Sequence, residues 1–309
     1  YNASSQSEWD YTSLSINPTS INFLDIYSGW AVGYDDNNVK ILKTNNRGDS
    51  WTDIKTVNRI YSSYGYSTKP AIAFLDANKG FLYYGKYLYK TLNGGANWYT
   101  TEFNEFNNLQ GMQTIKFKDS NTGFFTYTNP VHQNKTTRIY RTNDGGNSGW
   151  ILSFDYNPYY NAYLYLTDVI FAGDFAYFVG FEKHNDNNWS RHFCIKYNMV
   201  DNGYPQFYYP GNTENKTSRF KYACVTPTGQ FKILGVYTDN LGNNGTYCYT
   251  SYTENSTKYK ISSNIEWLQL GGISFSDNNN GTAIVGKDIY ITSNGGVNWQ
   301  LNYSLPSYV

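Results

Sequence analysis

The chain has 309 residues, with 24 basic and 24 acidic side chains and no net formal charge at neutral pH. That balance removes the bulk field that would recruit nucleic acid or an anionic membrane, and the longest apolar runs, such as Val169 to Ala172, fall far short of the ~20 residues of a membrane-spanning helix. Charged residues make up only 16% while aromatics reach 19%, with 33 tyrosines, so polarity comes from Tyr, Asn, Ser, Thr and Gly, the chemistry of strands and turns.

The chain opens at Tyr1 without an initiator methionine, which reads as a processed or trimmed product and predicts export. Its first recognisable element is Trp9-Asp-Tyr-Thr-Ser-Leu14, which makes residues 1–20 a candidate closing strand. Repeats then begin. One unit runs from Ile21-Asn-Phe-Leu-Asp to Thr44-Asn-Asn-Arg-Gly-Asp-Ser-Trp51, and a second from Ala71-Ile-Ala-Phe-Leu-Asp to Thr91-Leu-Asn-Gly-Gly-Ala-Asn-Trp98. A third closes with Thr142-Asn-Asp-Gly-Gly-Asn-Ser-Gly-Trp150, carrying one inserted residue, and a last one with Thr292-Ser-Asn-Gly-Gly-Val-Asn-Trp299.

Spacing fixes the count. The phenylalanines that open units stand at 23, 74, 117, 171 and 275, and the closing tryptophans at 51, 98, 150 and 299; at a period near 50, both series require six units. Two units, roughly 168–219 and 220–270, have lost the closing signature but keep their strands, as in Ala176-Tyr-Phe-Val-Gly-Phe181 and Phe231-Lys-Ile-Leu-Gly-Val-Tyr237. Each unit holds three or four short β-rich runs between Gly, Asn or Asp turns, the pattern of a four-stranded propeller blade. The predicted fold is therefore all-β, a single six-bladed propeller with approximate blades 21–70, 71–113, 114–167, 168–219, 220–270 and 271–309; seven blades are the alternative.

The closing signature, Ser/Thr-x-Asp/Asn-x-Gly-x-x-Trp, resembles the Asp-box, or bacterial neuraminidase repeat, of β-propellers. A short acceptor at Asn46, Asn93, Asp144 or Asn294 can bond the amides of its own turn, glycines at Gly48, Gly95, Gly146 and Gly296 supply a permissive backbone, and Trp51, Trp98, Trp150 or Trp299 plugs the turn onto the sheet. The resemblance implies a structural role for all twelve. Together with the Phe-x-Asp-x-x-x-Gly opening, the chain resembles photosystem II stability/assembly factor-like propellers over residues 9–155 and 271–302.

Asp-boxes also occur in sialidases, whose sites need three arginines around the substrate carboxylate. The arginines here are Arg47, Arg59, Arg138, Arg141, Arg191 and Arg219; Arg47 lies inside a box and Thr137-Arg138-Ile139 lacks the proline of the sialidase motif. A general glycosidase needs two carboxylates across a cleft, and Asp36, Glu102, Glu105, Asp155, Glu182, Glu214, Asp239 and Glu266 offer no distinguished pair. His184, Asp186, His192 and Cys194 lie near one another in sequence, but their irregular spacing does not make a metal site, so neither metal nor cofactor is expected. Cys194, Cys224 and Cys248 read as strand thiols, with a Cys224–Cys248 disulfide as the alternative.

The links between units are rich in tyrosine. Tyr61, Tyr64, Tyr66, Tyr156, Tyr159, Tyr160, Tyr208 and Tyr209, with Trp189 from a long loop, are the candidate ligand-binding residues on one face, opposite the boxes. Flat rings with polar tips beside amides suit sugar stacking or a polar protein interface. The expected function is a secreted or cell-surface, non-enzymatic, monomeric binding propeller with a glycan or protein partner, such as a bacterial surface lipoprotein anchored upstream of Tyr1. The alternatives are a glycoside hydrolase with a diverged site and an assembly or scaffold factor.

Overall fold

The computed structural model describes residues 12–60, 69–103, 112–129, 136–156, 162–184, 190–201, 204–210, 217–238, 244–263 and 269–305. Blade 1 holds β1 (Asn17–Phe23), β2 (Gly29–Tyr34), β3 (Asn38–Thr44) and β4 (Thr52–Asn58); blade 2 holds β5 (Ala71–Phe74), β6 (Gly80–Tyr84), β7 (Tyr87–Thr91) and β8 (Tyr99–Glu102). Blade 3 comprises β9 (Met112–Phe117), β10 (Gly123–Asn129), β11 (Thr136–Thr142) and β12 (Ile151–Tyr156), and blade 4 comprises β13 (Ala162–Ala172), β14 (Phe175–His184), β15 (Ser190–Asn198) and β16 (Gln206–Tyr208). Blade 5 is β17 (Thr217–Val225), β18 (Phe231–Thr238), β19 (Asn244–Tyr249) and β20 (Lys258–Ser262); blade 6 is β21 (Leu270–Phe275), β22 (Gly281–Val285), β23 (Asp288–Thr292) and β24 (Gln300–Ser304). Each sheet is an antiparallel meander in chain order, and together the six form a six-bladed β-propeller.

Blade edges differ in detail from those read in the sequence. β1 begins at Asn17 rather than at 21, and β13 at Ala162 rather than at 168. The sixth sheet is completed by β24. Of the candidate closing strand, residues 17–20 belong to β1, while residues 1–11, Trp9 among them, lie outside the described residues.

The opening motif is a turn built around a carboxylate. Asp25 accepts from the Tyr27 and Ser28 amides at 2.6 and 2.7 Å, Asp76 from Asn78 and Lys79 at 2.7 Å each, and Asp277 from Asn279 and Asn280 at 2.7 Å each. The same geometry recurs at Asp119. Such side-chain caps close the hairpin between a blade's first two strands, and the Ser28 and then the Tyr27 amide hold the Asp25 carboxyl below its ordinary range.

The closing turn is wired by its threonine. Buried Thr91 accepts from the Gly95 amide at 2.9 Å and donates to Asn93 at 3.1 Å, Asn93 accepts from the Asn97 amide at 2.8 Å, and the Trp98 indole donates to the Gly95 carbonyl at 2.8 Å. Thr44 with Trp51 and Thr292 with Trp299 repeat the arrangement. In the third turn Asp144 takes the amides of Asn147 and Ser148, but Trp150, displaced by the inserted residue, leaves its indole N–H without the corresponding bond.

The core lies between blades. Trp30, Val32 and Ile41 pack against Ile72, Leu82 and Tyr84; Phe81 and Tyr83 against Phe125 and Tyr127; and Phe124 and Ile139 against Val169 and Phe178. Val179 and Cys194 then meet Ile233 and Tyr249, and Leu234 and Cys248 meet Ala283 and Val285. A ladder of rings crosses these seams: Trp30 stacks on Phe74 at 3.9 Å, Phe81 on Phe117 at 5.3 Å, and Phe124 lies 6.0 Å from Phe171. Lys43, Lys90 and Arg141 sit over Trp30, Phe81 and Phe124 in turn.

All three cysteines are free thiols. The alternative disulfide fails on topology: β18 separates β17, which carries Cys224, from β19, which carries Cys248, so the two stand about two strand spacings, roughly 9.5 Å, apart, beyond what a disulfide spans. Burial pushes the Cys248 thiol up to about 12 and Cys224 to about 11, keeping both protonated.

Innermost strands carry bulges whose extra residue reaches the next blade. Thr19 donates to the Pro70 carbonyl at 2.7 Å, Thr167 to Phe220 at 3.1 Å, and Lys221 to Leu270 at 2.6 Å. Burial, reinforced by the charge of Lys69, lowers the Lys221 ammonium from 10.5 to about 8. The folded value lies below the unfolded one, so between those limits the unfolded chain holds a proton that the folded chain has lost, and stability rises with pH. Chemical denaturation at about pH 9.5 is therefore expected to give a higher midpoint than at about pH 7.5, and Lys221→Met to remove that difference. An equal gain in the variant would assign the effect to another group.

Candidate binding site

Strand alternation decides which polar side chains meet at the exposed end of blade 4. Glu182 and Arg191 are cross-strand partners in the β14–β15 hairpin, and His184 lies two residues beyond Glu182, so all three share one face. Glu182, its side chain only 12% exposed, accepts from Arg191 Nη2 at 2.9 Å and lies 3.1 Å from His184 Nε2. The charge of Arg191 offsets the desolvation of this nearly buried carboxylate, which in turn fixes the guanidinium in place, with the His184 imidazole beside it.

That guanidinium lies 3.8 Å from the centre of the Tyr209 ring, a cation–π contact at the seam with blade 3. Tyr156, at the end of β12, reaches the same cluster and lies 5.9 Å from Phe207, with Phe154 beside it. Burial and then the Glu182 charge raise the Tyr156 phenol above its ordinary value; burial likewise raises Tyr209, against the pull of Arg191. Both phenols therefore stay protonated and able to donate. The assembly presents two half-buried phenols, one oriented guanidinium and one imidazole around an aromatic floor, all brought by strand ends and links on the side of the β14–β15 turn.

Of the residues read from the sequence as ligand-binding, Tyr156 and Tyr209 come together here. Tyr208 points to the other face of β16, where it packs edge-on against Tyr252 at 5.2 Å and donates to Gln206. Tyr61, Tyr64, Tyr66, Tyr159, Tyr160 and Trp189 lie outside the described residues. The one-face reading of these residues thus divides at β16, because adjacent strand residues project to opposite sides.

The same alternation separates the histidines. His192 pairs with Phe181, so it projects away from His184; its ring stacks on Phe220 at 4.0 Å and it contacts the Pro210 carbonyl, within the seam to blade 5. Cys194 is buried in that seam too, and no cluster of metal-ligating side chains exists among the described residues. Sequence reading named Glu182 among the carboxylates and Arg191 among the arginines but did not pair them; the signal was their symmetrical position about the hairpin, legible only once the register Val179 to Cys194 is known.

No family model matches the sequence, and no curated protein matches it. The fold is similar to several solved structures. One is YCF48 from Cyanidioschyzon merolae, at 14% identity over 93% of this chain and 85% of that one, with a TM-score of 0.55. Another is an ulvan lyase, described as a new family of polysaccharide lyase, at 9% identity over 91% and 81% with a TM-score of 0.64. A third is the α-L-arabinanase of Penicillium chrysogenum, solved with arabinobiose, at 12% identity over 93% and 80% with a TM-score of 0.51. At such identities the likeness is one of fold.

Proposed function

We propose that this chain is a non-enzymatic binding propeller, secreted or held at a cell surface, that recognises a glycan through the end of blades 3 and 4. The observation that carries the reading is the Tyr156–Tyr209–Arg191–Glu182 cluster. Rings give a sugar an apolar stacking surface, the phenols donate to its hydroxyls, and Arg191, already oriented by Glu182, adds no ordering cost on binding. The four threonine-wired turns are read as Asp-boxes with a structural role, consistent with their hydrogen bonds closing on themselves.

Catalysis is the second reading, prompted by the carbohydrate-active enzymes among the similar folds. Hydrolysis of a glycoside normally uses two carboxylates, whereas this cluster contains one, Glu182, already engaged by Arg191 and His184. A glycan array probed with the soluble chain, with reducing-sugar release assayed on the same polysaccharides, tests both. Saturable binding without release is expected, and Tyr209→Ala should weaken it at least about tenfold while leaving the fold intact. Sugar release abolished by Glu182→Gln would overturn the non-enzymatic reading; absence of any glycan binding would move the site to a protein partner and the assembly-factor reading.

A further inference from the structure

A groove of about 540 Å³ crosses blade 6, inside the range of about 300–1,000 Å³ that small-ligand sites occupy. Its floor is a row of cross-strand neighbours, Ser274, Thr282, Ile291 and Gln300, one from each strand, on the face of the sheet turned away from blade 5. In blades 1 to 5 the side chains that face the next blade from the second strand at this level, Trp30, Phe81, Phe124, Tyr177 and Lys232, are each 5% exposed or less. Thr282 and Ile291 are instead half-buried, and Ser274 and Gln300 are exposed.

No charged side chain lines the groove. Hydroxyls and amides do, and two of the amides are held so that one acceptor and one donor are fixed. Asn280 donates from Nδ2 to Asp277 at 2.8 Å, which commits that end of its amide and turns Oδ1 into the acceptor on offer. Asn294 accepts at Oδ1 from Thr292 Oγ1 at 3.0 Å and from the Asn298 amide at 2.9 Å, so its Nδ2 is the donor on offer. Both residues are exposed and stand at the same end of the row, one in the β21–β22 hairpin and the other in the closing turn.

This set selects a ligand by chemistry. An ion entering the groove would give up water without meeting an opposite charge. Sugar hydroxyls both donate and accept, as do the groove's own hydroxyls and amides, while Ile291 and the half-buried Trp299 offer apolar contact to the C–H faces of a sugar ring. An extended peptide draws its affinity from main-chain bonds to an open strand edge, whereas β22 and β23 under the floor are paired on both sides. We propose that blade 6 carries a second binding site, separate from the Tyr156–Tyr209 cluster, that takes an uncharged oligosaccharide, with Asn280 Oδ1 and Asn294 Nδ2 reading its hydroxyls. The two sites stand at opposite ends of the ring, because the turn between a blade's second and third strands emerges opposite its closing turn.

Hydrogen exchange on the full chain, with a panel of neutral gluco-, xylo-, manno- and arabino-hexasaccharides as probes, tests this. At least one is expected to bind saturably and to slow exchange in peptides covering residues 274–300. Thr282→Arg, which lays a long charged side chain on the floor, should weaken that binding at least about tenfold, Gln300→Ala should weaken it about threefold without touching the packed face of the sheet, and Tyr209→Ala should leave it unchanged. That pattern supports the second site whether or not blades 3 and 4 bind a glycan. Failure of every probe to protect residues 274–300 would overturn the proposal, and so would protection that survives both Thr282→Arg and Gln300→Ala. Binding lost in Tyr209→Ala but kept in the two groove variants would also overturn it, by placing the sugar at blades 3 and 4.

Discussion

Phe74→Ala is expected to destabilise the protein by about 3–5 kcal/mol, the range for removing a fully packed ring. Phe74 is 5% exposed, lies flat on Trp30 at 3.9 Å with an interplanar angle of 9°, and takes the edge of Trp98 at 6.3 Å. One side chain thus holds the two blades together and also seats the plug of its own closing turn. Truncation leaves a cavity bounded by two indoles that are themselves anchored: Trp98 by its bond to Gly95 and Trp30 by the Lys43 ammonium above it. Collapse into the cavity is restricted, which favours the upper part of the range. Urea denaturation should show a lower midpoint with an unchanged slope, and Phe74→Leu should recover more than half of the loss. A cost below about 1 kcal/mol would mean that the seam tolerates an empty site and that the ring ladder is not what couples the blades.

The second large effect is expected at Gly180. A Cβ there would lie 1.8 Å from the Tyr165 carbonyl oxygen and 2.9 Å from its carbon, both backbone atoms that cannot rotate away. The reason is the bulge in β13 between Leu166 and Asp168, which presses the inner strand onto β14 opposite Gly180. Gly33 faces the bulge of β1, with the Asn17 oxygen at 2.1 Å from its would-be Cβ, and Gly235 faces that of β17. Gly180→Ala is expected to cost about 3 kcal/mol or more, because backbone has to move. The loss should extend beyond blade 4: the bulge presents Thr167 to Phe220, and the adjacent Asp168 accepts from the Ala223 amide at 3.0 Å and pairs with Lys116 at 2.6 Å, tying blades 3, 4 and 5. Thermal unfolding of Gly180→Ala and Gly235→Ala side by side checks this, since the closest approach at Gly235 is a milder 2.7 Å and should give the smaller effect.

Much of this architecture was legible because it is written in local chemistry. An aspartate two residues after a phenylalanine caps its own hairpin at Asp25, Asp76, Asp119 and Asp277, and a threonine two residues before an amide or carboxylate wires its own turn; neither needs a distant partner. Six units followed from counting these signals. The edges of blades 4 and 5 were less legible, since β13 runs on from Ala162 as a strand of eleven residues where the signature is absent. Site membership was harder still. Whether Tyr208 or Tyr209 joins Tyr156, and which of His184 and His192 faces Glu182, depends on strand parity, and a shift of one residue reverses every assignment. The bulges that set that parity leave no clearer trace than a glycine on the facing strand.

The chain-order meander of every sheet has a kinetic consequence. Each blade pairs only strands that are neighbours in sequence, so the contacts of an individual blade have short loops to close, and pairing within it requires no other part of the chain. Successive blades can therefore form and stack as the chain emerges, each offering a finished face to the next. In a closed ring the last blade has to meet the first, a meeting of sequence-distant partners that waits for the whole chain. Ring closure is thus the step expected to be both slowest and last, and partly folded species are expected to be open arcs of complete blades.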